Sequence, residues 1–396
     1  MNFDRLSTNS PQIGYCTNVH AGTDLATILA RLEEFAVPIA KKTAGDGQLG
    51  IGLWLPFSAA VELSSKDDID EFGDWLRQRR LVPFTINGFP FDNFHLPVVK
   101  HRVYHPTWAD DARLDYTIRL AKILARLHSQ SGSRLASIST LPIGWPGIDD
   151  EAATESAGLN LRKLSRELAS IENKTGVQVV VAIEPEPGCI LDRCEDVVRF
   201  FSSQLPDTEH RKYLGVCHDI CHSAVMFEDQ SKALATYAQA NIIVGKIQVS
   251  SAIDVPLASM TDVERDQART QLNEFAEDRY LHQTGCLGNE NEFRLVEDLP
   301  QWLASQHSRR DTHIRIHFHV PIFLQSFGQL QTTRQAIYDC IEAMKRSDAP
   351  EFTGHWEVET YAWTVMPPEM RTSGLGADIE RELDWFKAAA VNPDAS

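Results

Sequence analysis

The sequence predicts an α/β protein built as a single (β/α)8 TIM barrel, and three observations indicate this fold. Apolar runs typical of strands buried on both faces alternate with helical stretches along most of the chain. Several of these runs end in an acidic or polar side chain, which is where a barrel carries its catalytic and metal-binding groups. The length of 396 residues also suits one barrel with insertions, so we predict one domain over residues 1–396.

The first half of the chain supplies four predicted strands and a candidate lid. Thr23 or Asp24 suits the N-cap of the first helix, because short polar side chains accept hydrogen bonds from a helix's first turn. Residues 88–108 are aromatic, rich in His and Pro, and too long for an ordinary connector, so we predict a binding loop or lid there. The predicted strands are residues 13–18, 49–55, 82–87 and 135–141, and the predicted helices are residues 25–40, 64–80 and 116–127.

The second half of the chain continues the alternation and contains one long interruption. Residues 251–312 are polar and charged with helical pieces, so we predict an insertion into the barrel. Residues 314–320 have the composition of a strand, which raises the candidates to nine; a barrel has eight, so one must lie outside it. The remaining strands are predicted at 179–183, 214–219, 242–248 and 355–360, and the remaining barrel helices at 159–175 and 194–203.

The composition argues against several classes of partner. A formal charge of −17 disfavours nucleic acid and anionic membranes, which need a basic surface. Seven cysteines, an odd number scattered through apolar runs, indicate reduced thiols and a cytoplasmic protein. We expect no signal peptide and no membrane insertion, because the start lacks an apolar segment and no run of 18 apolar residues exists. No feature of the sequence indicates an oligomeric state.

Acids at the ends of successive strands predict a metal site. Glu184 follows the run Val179–Ile183, Asp219 ends the next strand, and Glu359 lies near the end of the last one. We predict that these three hold a divalent metal, with Gln248 or His319 completing the shell. Carboxylates with amide or imidazole ligands suit Mn, Mg, Zn or Co, and the carboxylate-rich set favours Mn or Mg. The alternative for each acid is a salt-bridged residue at the barrel rim.

Further polar residues near these acids predict proton transfer. Glu186 and Glu357 each stand two residues from a proposed ligand, on the same face if the strand continues, so either could be the base. His222 lies three residues after Asp219 and is the predicted proton donor, because imidazole titrates near neutral pH. The alternative for His222 is a histidine satisfied by the backbone at a helix start.

A row of basic side chains is predicted on one face of the candidate strand 314–320. The row consists of His313, Arg315, His317 and His319. Beside a carboxylate site it could bind a polar or anionic substrate, and His317 with His319 forms the H-x-H arrangement of metal-dependent hydrolase barrels. The alternative is a polar strand face packed against the insertion.

The ordered strand ends resemble a known superfamily. Glu184, the Asp219-x-x-His222 motif, Gln248 and Glu359 are similar to the series in xylose-isomerase-like barrels, which include sugar isomerases, sugar epimerases and endonuclease-IV-type enzymes. That resemblance implies a TIM barrel with a metal-dependent site. In the sugar epimerases the strand of Gln248 usually supplies a metal-binding His, and this chain departs there.

Three longer motifs resemble the EboE metabolite-traffic barrel family, which is named for its gene clusters. They are Ile-Glu-Pro-Glu-Pro-Gly at 183–188, His-Phe-His-Val-Pro at 317–321 and Glu-Val-Glu-Thr-Tyr-Ala-Trp at 357–363. This resemblance implies the fold of the protein and says less about its substrate.

The sequence leaves three functions open. The first is a metal-dependent isomerase or epimerase acting on a small sugar-like metabolite, and the second is a metal-dependent hydrolase that uses His317 and His319. The third is a barrel that carries a metabolite without turnover. A DNA-repair nuclease is disfavoured by the acidic charge.

Overall fold

A computed structural model describes residues 11–45, 47–148, 150–371 and 374–391. Eight parallel strands close into a barrel in the order β1-β14-β7-β6-β5-β4-β3-β2, which confirms the predicted fold. The strands of the molecule are β1 Gln12–Cys16, β2 Leu49–Leu53, β3 Leu81–Asn87, β4 Leu135–Thr140, β5 Gln178–Ile183, β6 Leu214–Asp219, β7 Val244–Val249, β8 Ile253–Val255, β9 Thr284–Leu287, β10 Phe293–Val296, β11 His313–Ile316, β12 Ser326–Phe327, β13 Leu330–Thr332 and β14 His355–Val358.

Helices surround the barrel and follow the predicted alternation. Asp24 is the N-cap of the first helix, and its side chain accepts a hydrogen bond from the Thr27 backbone N–H at 2.8 Å. The α-helices are α1 Leu25–Arg31, α2 Val37–Thr43, α3 Phe57–Glu62, α4 Lys66–Gln78, α5 Asp111–Ser131, α6 Asp150–Thr175, α7 Cys194–Gln204, α8 Thr208–Arg211, α9 Ile220–Val225, α10 Gln230–Gln239, α11 Asp262–Leu272, α12 Leu299–Ala304, α13 Arg334–Lys345 and α14 Leu375–Val391.

Shorter helical segments complete the secondary structure. A π-helical turn at Leu32–Ala36 joins α1 to α2, so one nearly continuous helix follows β1. The 3₁₀ segments are Thr17–Val19, Lys100–Tyr104, Leu257–Ser259, Asn273–Phe275, Gln306–Arg309, Tyr361–Val365 and Pro368–Met370.

The candidate strand that lies outside the barrel is the one predicted at 314–320. It forms β11, whose neighbours β8 and β9 are antiparallel to it in a separate six-stranded sheet. Ile314 and Ile316 are buried while His313 and Arg315 are partly exposed. This alternation is typical of an antiparallel sheet with one buried face, whereas β5 is apolar and buried at nearly every position.

The second sheet is inserted between β7 and β14 and has its own small core. Its strands run from Ile253 to Thr332, so they extend past residue 312, the predicted end of the insertion. Trp302 from α12 and the apolar face of β11 pack in this core.

The predicted lid is attached to this insertion. The backbone N–H groups of Val99 and Lys100 both donate to the Arg279 carbonyl, at 2.7 and 3.0 Å. The Lys100 ammonium forms an ion pair with Asp298 at 2.7 Å. Lid and insertion therefore make one structure on the C-terminal side of the barrel.

Each of the seven cysteines is free of a disulfide bond and buried. Of the helices in the part of the chain that the structure describes, none combines the length and apolar character needed to cross a membrane.

Candidate functional site

The barrel brings the polar strand ends to one mouth, because all its parallel strands point the same way. Asp219 on β6, Gln248 on β7 and Glu357 on β14 lie side by side, since Gln248 is the register partner of both acids. Glu184 follows β5 directly, and Glu359 follows β14 directly.

Three of the predicted ligands form a compact group that we call the acidic triad: Glu184, Asp219 and Glu359. One carboxylate oxygen from each lies within 4.8 Å of the others, and none of the three residues is more than 7% exposed. Two oxygens bound to one hard cation at about 2.0–2.6 Å cannot be more than about 5 Å apart, so the spacing fits a shared ion. Asp219 Oδ1 accepts hydrogen bonds from the His222 backbone N–H (2.9 Å) and from Ser250 Oγ (2.8 Å).

Two further oxygens of the triad lack a hydrogen-bond donor in the part of the chain that the structure describes. Among the described residues, Asp219 Oδ2 and Glu359 Oε2 are buried and accept no hydrogen bond. Buried acceptors without a partner are costly, and a bound cation would satisfy both.

The electrostatics of the triad favour a positive charge at its centre. Burial, together with the Asp219 carboxylate, raises the pKa of Glu184 and of Glu359 above the ordinary range. Burial would also raise the pKa of Asp219, but His222 and His319 and the hydrogen bonds to Oδ1 hold it below its usual value. A divalent cation reverses this balance, because it stabilises the ionised form of every carboxylate around it.

His319 lies beside the triad, as its predicted role requires. Its ring Nδ1 donates to the Glu359 backbone carbonyl at 3.4 Å. One ring nitrogen of His319, one of His222 and a carboxylate oxygen of Asp219 lie within 4.8 Å of one another. The placement makes His319 available to the shell of a metal, but its ligand role stays a prediction.

The four basic residues predicted to share one strand face do not form a continuous surface in the structure. Strand β11 ends at Ile316, and His317 enters the site from the segment that follows. His313 Nε2 and Arg315 Nε instead lie 2.7 and 2.8 Å from Asp254 Oδ1. These two side chains bind an aspartate of the insertion and do not line the pocket, so the row cannot act as one anion-binding surface.

Glu186 is held by residues from outside the barrel. Its Oε1 accepts hydrogen bonds from the Tyr104 hydroxyl of the lid (2.8 Å) and from Gln283 Nε2 of the insertion (3.0 Å). The second carboxylate oxygen takes no part in these contacts. Burial raises the pKa of Glu186, so proton uptake is easier than for an exposed glutamate.

His222 combines a structural contact with a position in the site. It lies in the first turn of α9, and its Nδ1 donates to the Pro185 carbonyl at 2.8 Å, so the backbone fixes the ring. The opposite nitrogen, Nε2, lies 3.2 Å from Nε2 of His317. The backbone contact that the sequence offered as an alternative is therefore present and orients the ring within the pocket.

Glu357 differs from the other predicted site residues. It is fully buried and pairs with the Lys246 ammonium, which is also fully buried. The residues that line the pocket include Glu184, Glu186 and Glu359 and do not include Glu357. Glu357 therefore lies in the barrel interior, next to the pocket wall.

This arrangement predicts an effect of Gly52 on stability. A Cβ at Gly52 would collide with Glu357 Oε1, so Gly52→Ala must displace the carboxylate from Lys246. We expect the free energy of unfolding to fall by at least about 1–3 kcal/mol, as for other overpacked interiors, measured by chemical denaturation. Gly376→Ala in α14 is the control, because its Cβ meets nothing within 4 Å. Equal stability of the Gly52 variant and the unchanged protein would contradict the prediction.

The pocket is built by all three parts of the molecule. The barrel, the lid and the insertion each contribute to its wall. The lining residues are Asn18, Asn87, Phe89, Pro90, Phe94, Lys100, Val103, Tyr104, Glu184, Glu186, His222, Gln248, Tyr280, Leu281, His317 and Glu359.

The sequence analysis missed several of these residues. Asn18 and Asn87 each follow or end an apolar strand, so the rule that identified the acids applies to them as well. Tyr280, Gln283 and Lys100 carry no such signal, because they reach the site only through the packing of lid and insertion.

Comparison with known proteins supports the fold. No protein-family model and no curated protein matches the sequence. A xylose isomerase-like TIM barrel protein from Mycobacterium smegmatis, solved in complex with magnesium, has a TM-score of 0.50 at 11% identity, covering 98% of this chain and 100% of its own. At that identity the likeness shows a shared fold.

Two further solved structures are similar at lower scores. A D-allulose 3-epimerase from Methylomonas sp., in complex with D-allulose, has a TM-score of 0.49 at 11% identity over 98% of this chain and 99% of its own. The IolI protein, with a bound zinc atom, has a TM-score of 0.48 at 13% identity over 97% and 99%.

Proposed function

We propose that this protein is a metal-dependent isomerase or epimerase that acts on a small sugar-like metabolite. The observation that carries the proposal is the acidic triad, three buried carboxylates from different strands whose oxygens share one centre at the barrel mouth. Such a centre requires a cation or protons, and the two oxygens of Asp219 and Glu359 that accept no hydrogen bond from the described residues favour the cation.

The residues fit a divalent metal of the hard type. Glu184, Asp219 and Glu359 would supply carboxylate oxygens, and Gln248 and His319 stand next to them as further ligands. An oxygen-rich set favours Mn or Mg over zinc. When bound, the ion would polarise a substrate carbonyl and its neighbouring hydroxyl.

We assign the base to Glu186. It lines the pocket, and Tyr104 and Gln283 hold its Oε1, which leaves Oε2 for the substrate. In an isomerisation, Glu186 would take a proton from the carbon next to the carbonyl and return it to the neighbouring carbon, while His222 gives one proton to the carbonyl oxygen and takes one back from the neighbouring hydroxyl. In an epimerisation, Glu186 would take the proton from one face and a second acid would return one to the opposite face, because one carboxylate reaches only one face. Protons and electrons balance in either case, and no other reactant is consumed. Glu357 is less suited to this role, because Lys246 engages it away from the pocket lining.

His222 is the proposed donor to a substrate oxygen. The backbone contact to Pro185 fixes its ring, and the Asp219 and Glu186 carboxylates keep its pKa above the ordinary value despite burial, which alone would lower it. The transferable proton is the one on Nε2, and the contact of Nε2 with His317 must give way to the substrate oxygen for that proton to be delivered.

The walls of the pocket suit a hydroxylated substrate. Phe89, Phe94 and Tyr280 contribute aromatic rings to the wall, while Asn18 contributes an amide group. The mixture of apolar surface and a few directed polar groups is typical of sites for small polar metabolites. The three motifs that resemble EboE include Glu184, Glu186, His317 and Glu359, which all line this pocket, so the resemblance is concentrated there.

A hydrolase is the second candidate. One ligand atom each from Cys221, His317 and His319 lies within 4.8 Å of the others, which would suit a nitrogen-rich metal site.

Solvent exchange tests the proposal. The purified chain is incubated with D-allulose or D-tagatose in deuterated water, with Mn, Mg, Co or Zn added in turn. We expect deuterium at the carbon next to the carbonyl, detected by mass spectrometry and NMR. If metal binds and no ketose or polyol binds or exchanges, the isomerase assignment fails and a carrier remains. Release of a hydrolysed product would favour the hydrolase.

A further inference from the structure

A hydrogen-bonded group at the wall of the pocket centres on Asn87, at the end of β3. Its Oδ1 accepts from the Lys246 ammonium at 2.6 Å, from Ser139 Oγ at 3.2 Å and from Gln248 Nε2 at 3.1 Å. Its Nδ2 donates to Glu357 Oε1 at 3.0 Å. All five residues are buried, so water cannot replace these partners.

The two charged members fix the orientation of the Asn87 amide. Lys246 can only donate, so the Asn87 atom that faces it must be the oxygen. Glu357 presents a carboxylate oxygen to the other end, so that end must be the NH₂ group. Rotation of the amide by 180° would place two donors together on one side and two acceptors together on the other.

The orientation of Asn87 determines that of Gln248. The Gln248 atom that meets Asn87 Oδ1 must be a donor, which is Nε2. Gln248 Oε1 is therefore directed away from Asn87. It is buried, and no donor among the residues that the structure describes reaches it. Gln248 lines the pocket with Glu184 and Glu359.

We propose that Lys246 and Asn87 are positioning residues that hold Gln248 with its amide oxygen toward the pocket, so that it acts as a neutral oxygen ligand beside the acidic triad. The inference rests on the metal site of the proposed function and deepens it. A reversed amide would direct its NH₂ group at the cation, which repels it. The buried Lys246–Glu357 pair thus contributes to metal binding through the orientation of one amide, without contacting the ion.

A double-mutant cycle tests whether Asn87 acts through Gln248. The variants are Asn87→Leu, Gln248→Met and the two combined, each in the full chain, with Mn²⁺ affinity measured by calorimetry and by electron paramagnetic resonance. Asn87→Leu alone should weaken Mn²⁺ binding about 10- to 100-fold, the usual effect of changing a group behind a ligand. In the Gln248→Met background the same change should have an effect of less than about twofold, because no amide remains to orient.

Thr85→Val is the matched control. Thr85 is a buried neighbour on β3 whose hydroxyl donates to the Ser137 carbonyl at 3.0 Å and accepts from Ser137 Oγ at 2.9 Å, so its hydrogen bonds go to β4 and not to the Asn87 group. It should retain the Mn²⁺ affinity of the unchanged protein. Asn87→Ser, too short to reach Gln248, replaces Asn87→Leu if circular dichroism shows that the leucine variant does not fold.

Three results would overturn the inference. Unaltered Mn²⁺ affinity in the Asn87 variant, or an equal loss in both backgrounds, would remove the positioning role and leave the metal site of the proposed function intact. Failure of the unchanged protein to bind Mn²⁺, Mg²⁺, Co²⁺ or Zn²⁺ would remove the metal site and the positioning role together.

Discussion

Asp219→Asn should abolish metal binding with little change in folding. The variant amide can keep its oxygen at the position of Oδ1, where it accepts from the His222 backbone N–H and from Ser250, so the N-cap of α9 survives. The amide NH₂ would then replace Oδ2, the buried oxygen that accepts no hydrogen bond from the described residues. We expect Mn²⁺ affinity to fall more than about 100-fold, beyond the range of changes behind a ligand, as measured by calorimetry.

Asp254→Asn provides the control for this experiment. Asp254 is also buried, but it pairs with His313 and Arg315 in the insertion, away from the acidic triad. The control should bind Mn²⁺ as the unchanged protein does. Retention of normal Mn²⁺ affinity by Asp219→Asn would show that the triad is not the metal site.

Glu186→Gln should remove proton exchange while the metal remains bound. The glutamine can still accept from Tyr104 and Gln283 at Oε1, so packing is preserved, but the second position becomes an amide that cannot take a proton. Loss of a positioned base typically lowers turnover about 10²- to 10⁴-fold. The measurement is the rate of deuterium incorporation into a ketose that the unchanged protein exchanges.

Two further variants serve as controls for the Glu186→Gln experiment. Glu172→Gln removes a surface carboxylate that pairs with Lys212 and should leave exchange unchanged. Glu357→Gln should instead lower stability, by about 3–5 kcal/mol, because it leaves the buried Lys246 ammonium without its counter-charge. If Glu186→Gln exchanges normally and a folded Glu357→Gln variant does not, the base assignment must move to Glu357.

The prediction of the barrel succeeded because its signals are local. Strand β5 is apolar along Val179–Ile183, and such a run can be buried on both faces only in a parallel sheet covered by helices. Glu184 directly follows this run, so it lies at the barrel mouth, and this placement does not depend on contacts with distant parts of the chain. The same reasoning would have identified Asn87 at the end of β3.

The sequence alone could not assign β11 to the second sheet. Its His-Ile-Arg-Ile pattern alternates between polar and apolar residues, but so does His-Trp-Glu-Val in the barrel strand β14, and only the burial of the residues separates the two strands. The alternation also does not indicate which strands pair with β11. The pairing of β11 with β8 and β9 depends on contacts between residues about 30 to 60 positions apart.

By itself, the sequence determined the (β/α)8 barrel and the ligand-type side chains at its strand ends, because hydrophobic period and strand-end position are properties of short segments. Only the tertiary structure decided which acids lie together at the barrel mouth and which one forms an ion pair in the barrel interior. Glu184, Asp219 and Glu359 share one centre, whereas Glu357 pairs with Lys246. The difference arises because two carboxylates on one strand face have the same local pattern, and their roles depend on which distant side chain lies opposite each of them.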